Sequence, residues 1–141
     1  MNNLAIVSDF DLERLDKIIG TFNERDVAIK NRLMVKLDQA DILDSNEIPP
    51  DIVTVNSTVL FRMSNANLPL RMTLTLPSRQ PPPEDSISIL TPTGIALLGL
   101  REGDDTTFTL INGDSVTLWV DEILQQPERE IRKSGRKYPV S

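Results

Sequence analysis

The sequence predicts an α+β fold, in which two amphipathic helices precede a strand-rich region that encloses one short buried helix. Three observations predict it. Leu12, Leu15, Ile19 and Phe22 recur at spacings of three, four and three, which is one apolar helical stripe. Leu70, Met72, Leu74 and Leu76 alternate with Arg71, Thr73 and Thr75, the period of a half-buried strand. Ile87–Asp105, reading ISILTPTGIALLGLREGDD, packs a strand, a capped helix and a turn into one stretch.

Residues 9–43 read as two helices. Ser8 or Asp9 caps the first, with Asp11 and Glu13 well placed near the positive end of its dipole. Gly20-Thr21-Phe22-Asn23 breaks the pattern. The second helix then starts near Asn23 and turns Val27, Ile29, Leu33, Leu37 and Ala40 inward, with Met34 beside them. Two such helices joined by a tight turn are expected to form an antiparallel hairpin over residues 1–47. Each arm of about four turns reaches ~20–27 Å at ~1.5 Å per residue. At its tip, Asn23 with Asp26 three residues on is a capping arrangement, and Glu24 favours the helix start.

Asp44–Asp51, with Pro49 and Pro50, is a linker that ends the helix. Val53, Val55, Val59 and Phe61 share a face of the first strand of the region 48–126. Pro77–Asp85, holding Pro81-Pro82-Pro83, is a stiff polar loop rather than a strand. Ser86–Leu90 alternates as a strand. Thr91 offers a hydroxyl at an N-cap, and Pro92 sits at the first helical position, where its missing N–H costs nothing. Ile95–Leu98 is apolar all round and therefore buried, and Gly99 supplies the left-handed residue that ends such a helix. Glu102-Gly103-Asp104 turns the chain. Thr106–Ile111 and Ser115–Leu124 pair through Asn112-Gly113, and the phase shift from Val120 to Ile123 predicts a bulge. The sum is a five-stranded antiparallel sheet covering one short helix. Trp119, the single tryptophan, is out of phase with Val116, Leu118 and Val120; it either packs against the helical hairpin, which we expect, or faces a partner. Residues 127–141 read as a flexible, solvated tail made locally basic by Arg129, Arg132, Lys133, Arg136 and Lys137.

Composition narrows the function. Among 141 residues, 39% are hydrophobic and 26% charged, the balance of a globular protein. There is no histidine and no cysteine. Zinc sites, Ser/His/Asp triads and thiolate chemistry therefore drop out together, and with no phosphate-binding glycine loop an enzyme would have to run on carboxylates or lysines. We expect no catalytic residue, cofactor, resident metal or small-molecule substrate. The net charge of −6 repels phosphates, so any work near DNA is expected to pass through another protein. No apolar run is long enough for a bilayer, and the expected place is the cytoplasm.

The stretch Leu90-Thr91-Pro92-Thr93-Gly94 with Ala96-Leu97-Leu98-Gly99, and Ile48-Pro49-Pro50-Asp51-Ile52-Val53-Thr54-Val55-Asn56-Ser57 before it, resembles the C-terminal domain of the Gre transcription elongation factors (GreA/GreB). The Rnk-like branch of that family carries the second motif. The resemblance covers residues 48–126 well and the first 47 more loosely. It implies an FKBP-like sheet domain behind a helical hairpin. It also implies a partner, RNA polymerase, docked at its secondary channel through the corner Leu90, Thr91, Pro92, Thr93 and Gly94. Gre factors often carry an acidic residue at the position of Leu90. Their acidic hairpin tips hold magnesium at the polymerase active site, and the matching tip here is Asn23, Glu24 and Asp26. The shorter hairpin implies binding and competition with Gre factors without stimulation of transcript cleavage. A Gre-type cleavage factor is the alternative. A prolyl isomerase is a further one that the 4% aromatic content disfavours.

Overall fold

Ser8 is where strand becomes helix in the chain, whose computed structural model describes residues 4–21, 24–77 and 83–137. The Ser8 hydroxyl accepts from the Asp11 N–H at 3.0 Å and caps α1 (Asp9–Ile19). Leu15 on the inward stripe is fully buried, Leu12 and Ile19 partly so, and Phe22 lies outside the described residues. After a single 3₁₀ turn at Glu24–Asp26, α2 (Val27–Gln39) buries Ile29, Leu33 and Leu37. Val27 and Met34, expected inward or beside the stripe, are instead 52% and 43% exposed. The 3₁₀ turn delays the helix start from Asn23 to Val27 and so rotates which residues face the core.

Two short strands were not apparent from the pattern. β1 (Ile6–Ser8) and β2 (Asp41–Leu43) pair in parallel, Ile6 with Asp41 and Ser8 with Leu43. Residues 41–43 are thus strand where helix was expected. Three residues are too few to show a period, and the pairing partner is remote in sequence.

The main sheet joins β3 (Thr58–Met63), β4 (Leu70–Thr75), β5 (Ser86–Ser88), β6 (Asp105–Thr109) and β7 (Ser115–Gln125) in the order β5-β4-β3-β7-β6. Five strands were expected, but not all antiparallel: β4 and β5 run parallel, Thr73 beside Ser86 and Thr75 beside Ser88. A tight hairpin would have made the pair antiparallel, and the ten-residue connection 76–85 that separates the two strands is too long for one. Pro81 and Pro82 of that connection lie outside the described residues. The Val53–Phe61 strand is also shorter than expected. Val53, Val55, Val59 and Phe61 are all buried, yet Asn56 at φ 70° breaks the run into a turn and a strand. The bulge is present: Leu60 faces Glu122 and Phe61 faces Val120, so Asp121 is skipped.

Beyond β7 the chain forms α4 (Pro127–Lys133), which corrects the expectation of a flexible tail from residue 127. Buried Gln126 caps it by accepting the Arg129 N–H at 3.1 Å. The Arg129 guanidinium in turn donates to the carbonyls of Ile123, Leu124 and Pro50. Cations that read as solvated are consumed as carbonyl partners. One apolar cluster runs from Val7, Leu15, Leu33 and Leu37 through Phe61, Leu74, Leu97 and Leu118, so helices and sheet share a core.

Candidate functional site: the Thr91–Pro92 corner

The corner between β5 and α3 (Pro92–Leu97) is held by hydrogen bonds that the local sequence itself supplies. The Thr91 hydroxyl donates to the Ser88 carbonyl at 2.7 Å and accepts the Gly94 N–H at 3.0 Å. The Ser88 hydroxyl accepts from the Leu90 N–H at 3.1 Å. Pro92 and Gly94 are buried, while Leu90, Thr91 and Thr93 are half-buried and line the rim. A Cβ on Gly94 would stand 2.1 Å from the Ser88 carbonyl oxygen, so the first turn of α3 lies directly on the backbone of β5. Gly99, at φ 83°, ends the helix region as expected. Beside the corner a groove of about 930 Å³ runs between α2, α3 and β6, with Pro92, Ile95, Val35, Lys36 and Phe108 among its walls.

The second motif, Ile48–Ser57, is not a separate feature. It is hydrogen-bonded to the far end of the first. The Val53 N–H donates to the Leu100 carbonyl and the Gly99 N–H to the Val53 carbonyl, both at 2.8 Å, and Asp51 pairs with Arg101 at 3.3 Å. Its polar members then form a buried weld that sequence reasoning missed. Thr54 Oγ1 donates to Glu128 Oε1 at 2.7 Å, Ser57 Oγ accepts the Thr54 N–H at 2.9 Å, and Asp11 Oδ2 accepts the Val55 N–H at 3.1 Å. Gln126 Nε2 reaches the carbonyls of Pro49 and Ile52, each at 2.8 Å. Three remote segments, α1, residues 49–57 and α4, meet here. The available signal was a cluster of hydroxyl residues in an otherwise apolar stretch, which needs buried partners.

Two carboxylates are buried in this weld, Asp11 at 0% and Glu128 at 2% exposure. Burial pushes the Glu128 carboxyl above its ordinary range; Thr54 opposes that rise and the Asp11 charge adds to it. Burial likewise raises Asp11, against the pull of Arg14 at 2.5 Å and the Val55 N–H. A carboxyl raised in the folded state binds protons more tightly there than in the unfolded chain. Its stabilisation is complete below the ordinary value of 4.5 and is lost as pH rises through the folded value. Glu128→Gln keeps an oxygen for Thr54 and removes the charge. We expect it to raise stability at pH 7 by about 1 kcal/mol and to flatten the decline between pH ~4.5 and neutrality. Urea midpoints measured across that range check it; a variant less stable than wild type at neutral pH contradicts it.

The expected hairpin-tip residues fall only partly within the described residues. Asn23 lies outside the described residues and Glu24 belongs to the 3₁₀ turn. Asp26 occupies the N-cap position of α2 without a side-chain cap bond. Among the described residues, no three acidic, histidine or cysteine side chains gather where a metal ion could be held, and no helix is long and apolar enough to cross a membrane. Trp119 departs from expectation. Val116, Leu118 and Val120 face the shared core, so strand alternation turns Trp119 to the opposite sheet face, away from α1 and α2. There the Arg62 guanidinium lies 5.3 Å from its ring and is gripped by Asp121 at 2.9 Å.

Residues 48–125 match the family described as "Transcription elongation factor, GreA/GreB, C-term". The protein of Escherichia coli (strain K12) named "Regulator of nucleoside diphosphate kinase" is 36% identical over 124 residues, covering 87% of this chain and 90% of that one. The Shigella flexneri protein of the same name matches to the same extent. Among solved structures, "Prokaryotic transcription elongation factor GreA/GreB from Nitrosomonas europaea" superposes with a TM-score of 0.67 at 32% identity, covering 88% of this chain and 100% of that one. The match thus falls on the two motifs that meet in space and on the sheet that carries them, and the chain belongs to the GreA/GreB transcription elongation factor family, where it is akin to the regulators of nucleoside diphosphate kinase.

Proposed function

We propose that the chain is a transcription elongation regulator that binds RNA polymerase through the Thr91–Pro92 corner, at the secondary channel, and competes there with Gre factors without stimulating transcript cleavage. The observation that carries this reading is the corner itself: a rigid, self-capped helix start whose rim residues Leu90, Thr91 and Thr93 stay partly open to solvent. A surface whose backbone is already fixed loses little entropy on docking. On this reading the sheet domain, with the FKBP-like topology that the family resemblance implies, is the docking module, and the helical hairpin is the arm beside it.

The length of the arm supports the absence of cleavage. Helices of 11 and 13 residues extend about 16–20 Å, shorter than the sequence pattern suggested. On this reading the tip of such an arm falls short of an active site that longer Gre arms serve. Stalled elongation complexes mixed with the protein are expected to release no short 3′ transcript fragments.

Docking is tested by passing core RNA polymerase over the immobilised protein. Leu90→Asp restores the acidic residue that Gre factors carry and is expected to tighten retention about tenfold through a partly desolvated ion pair. Thr93→Arg leaves the Thr91 cap in place and is expected to weaken retention by a similar factor. Equal retention of both variants and wild type would sink the assignment of this corner.

A further inference from the structure

We propose that Lys36 is a positioning residue for the corner: its ammonium clamps the last turn of α3 to α2 and so fixes the first turn, which docks. The inference rests on the docking reading above and deepens it. The orphan carbonyls at a helix C-terminus need donors from elsewhere. In α3 the Leu98 N–H serves Gly94, the Leu100 N–H serves Leu97, and the Gly99 N–H is drawn away to Val53. Ile95 and Ala96 are left, and Lys36 Nζ donates to both, at 2.5 Å and 3.0 Å. A cation is the right donor there, since the C-terminal end of a helix carries partial negative charge. α3 is six residues long, so a shift at its last turn moves Pro92 and Thr93 with it.

The clamp is also sensitive to pH in the neutral range. Lys36 stands in the wall of the groove that holds Pro92, Ile95 and Ala96, and burial pushes its ammonium down to about 7. No carboxylate among the described residues stands within ion-pair distance of it. α3 itself contains no charged residue. The charged groups that share the groove are Arg32 on α2 and Asp104 and Asp105 at the entry to β6. Below pH ~7 the charged clamp is closed, and above it the neutral amine holds the two carbonyls more weakly. Docking is therefore strongest on the acid side. Stability moves the other way, because between about 7 and 10.5 the unfolded chain binds the proton that folded Lys36 has lost. The opposed signs separate positioning from mere support of the fold.

The test is retention of core RNA polymerase by the full chain across about pH 6 to 8, with wild type, Lys36→Met and Lys36→Arg. Wild-type affinity is expected to fall about tenfold over that range, within the usual span of coupling between sites. Lys36→Met should bind at the weak level throughout. Lys36→Arg, whose guanidinium does not deprotonate, should bind at the tight level throughout. Coincident pH profiles for wild type and Lys36→Met overturn the proposal. A second readout needs no polymerase: the amide resonances of Gly94–Leu98 in the free protein should titrate with a midpoint near 7 in wild type and stay flat in Lys36→Met. Wild-type resonances that do not move also overturn it. Failure of the wild type to retain polymerase at any pH sinks the docking reading instead, and the amide titration still decides the clamp.

Discussion

Gly94→Ala is expected to destabilise the chain by about 3–4 kcal/mol, at the upper end of overpacking costs. The added Cβ would lie 2.1 Å from the Ser88 carbonyl oxygen and 2.9 Å from its carbon, and both atoms are backbone. No rotamer change relieves such a contact. Either β5 or α3 must retreat, and the retreat breaks the bonds from Thr91 to Ser88 and from Gly94 to Thr91. Alanine returns only about 1 kcal/mol through its better helix propensity, so the sign is not in doubt. For a domain with total stability of order 5–15 kcal/mol the loss is a large fraction. Urea unfolding checks it, and a change under about 1 kcal/mol would show that the corner is not packed as described. On the docking reading proposed above, retention of polymerase should fall with it, beyond the loss of folded protein, because the first turn of α3 is displaced.

Asp11→Ala is expected to cost about 3 kcal/mol through the opposite mechanism, removal of a buried partner. Asp11 is fully buried and serves the Val55 N–H at 3.1 Å and Arg14 at 2.5 Å. Without it the Val55 N–H is orphaned inside the protein. Arg14 fares better, since 29% of its side chain reaches solvent and its guanidinium also lies 4.6 Å from the centroid of the Phe10 ring. That exposure holds the estimate at the lower edge of the range for broken buried pairs. Asp11→Asn retains an acceptor for Val55 and should cost less than half as much. The loss of Asp11 also removes a negative charge near Glu128, so Asp11→Ala in the Glu128→Gln background should cost more than in wild type. Thermal or urea unfolding of the four proteins closes this cycle, and strict additivity refutes the coupling.

Where the sequence was legible, the cause was local chemistry. Thr91-Pro92, Gly99, the Asn112-Gly113 turn and the Val120–Ile123 phase shift each fix the backbone with nearby residues alone, and each stands where it was read. The illegible parts depend on remote partners. β1 and β2 depend on each other and on Gly99, with the Ala5 carbonyl accepting the Asp41 N–H and the Gly99 carbonyl the Ile6 N–H. β5 alternates as any strand does, and the direction in which it pairs is set with β4, outside the stretch where that alternation is read. α4 shows the same limit most fully: its charges suggested solvent, but Arg129 and Glu128 had partners near residues 50 and 54 that no local window contains. The corner was readable as geometry. That Lys36 completes it from α2 was not, because nothing in Leu33-Met34-Val35-Lys36-Leu37-Asp38 sets that lysine apart from the other polar residues of the helix.

The weld around Thr54 has a consequence for the order in which the protein becomes competent during synthesis. Its bonds span 44, 74 and 77 positions, from Asp11 to Val55, Thr54 to Glu128 and Pro49 to Gln126. A nascent chain that has released residues up to the corner still lacks Gln126 and Glu128, and the segment that braces Gly99 from behind is unpinned. Ribosome-bound chains short of residue 126 therefore display the Thr91–Pro92 corner on an unfinished support. The corner proposed above as the docking site is fully braced only after α4 has emerged and bonded to residues 49–57.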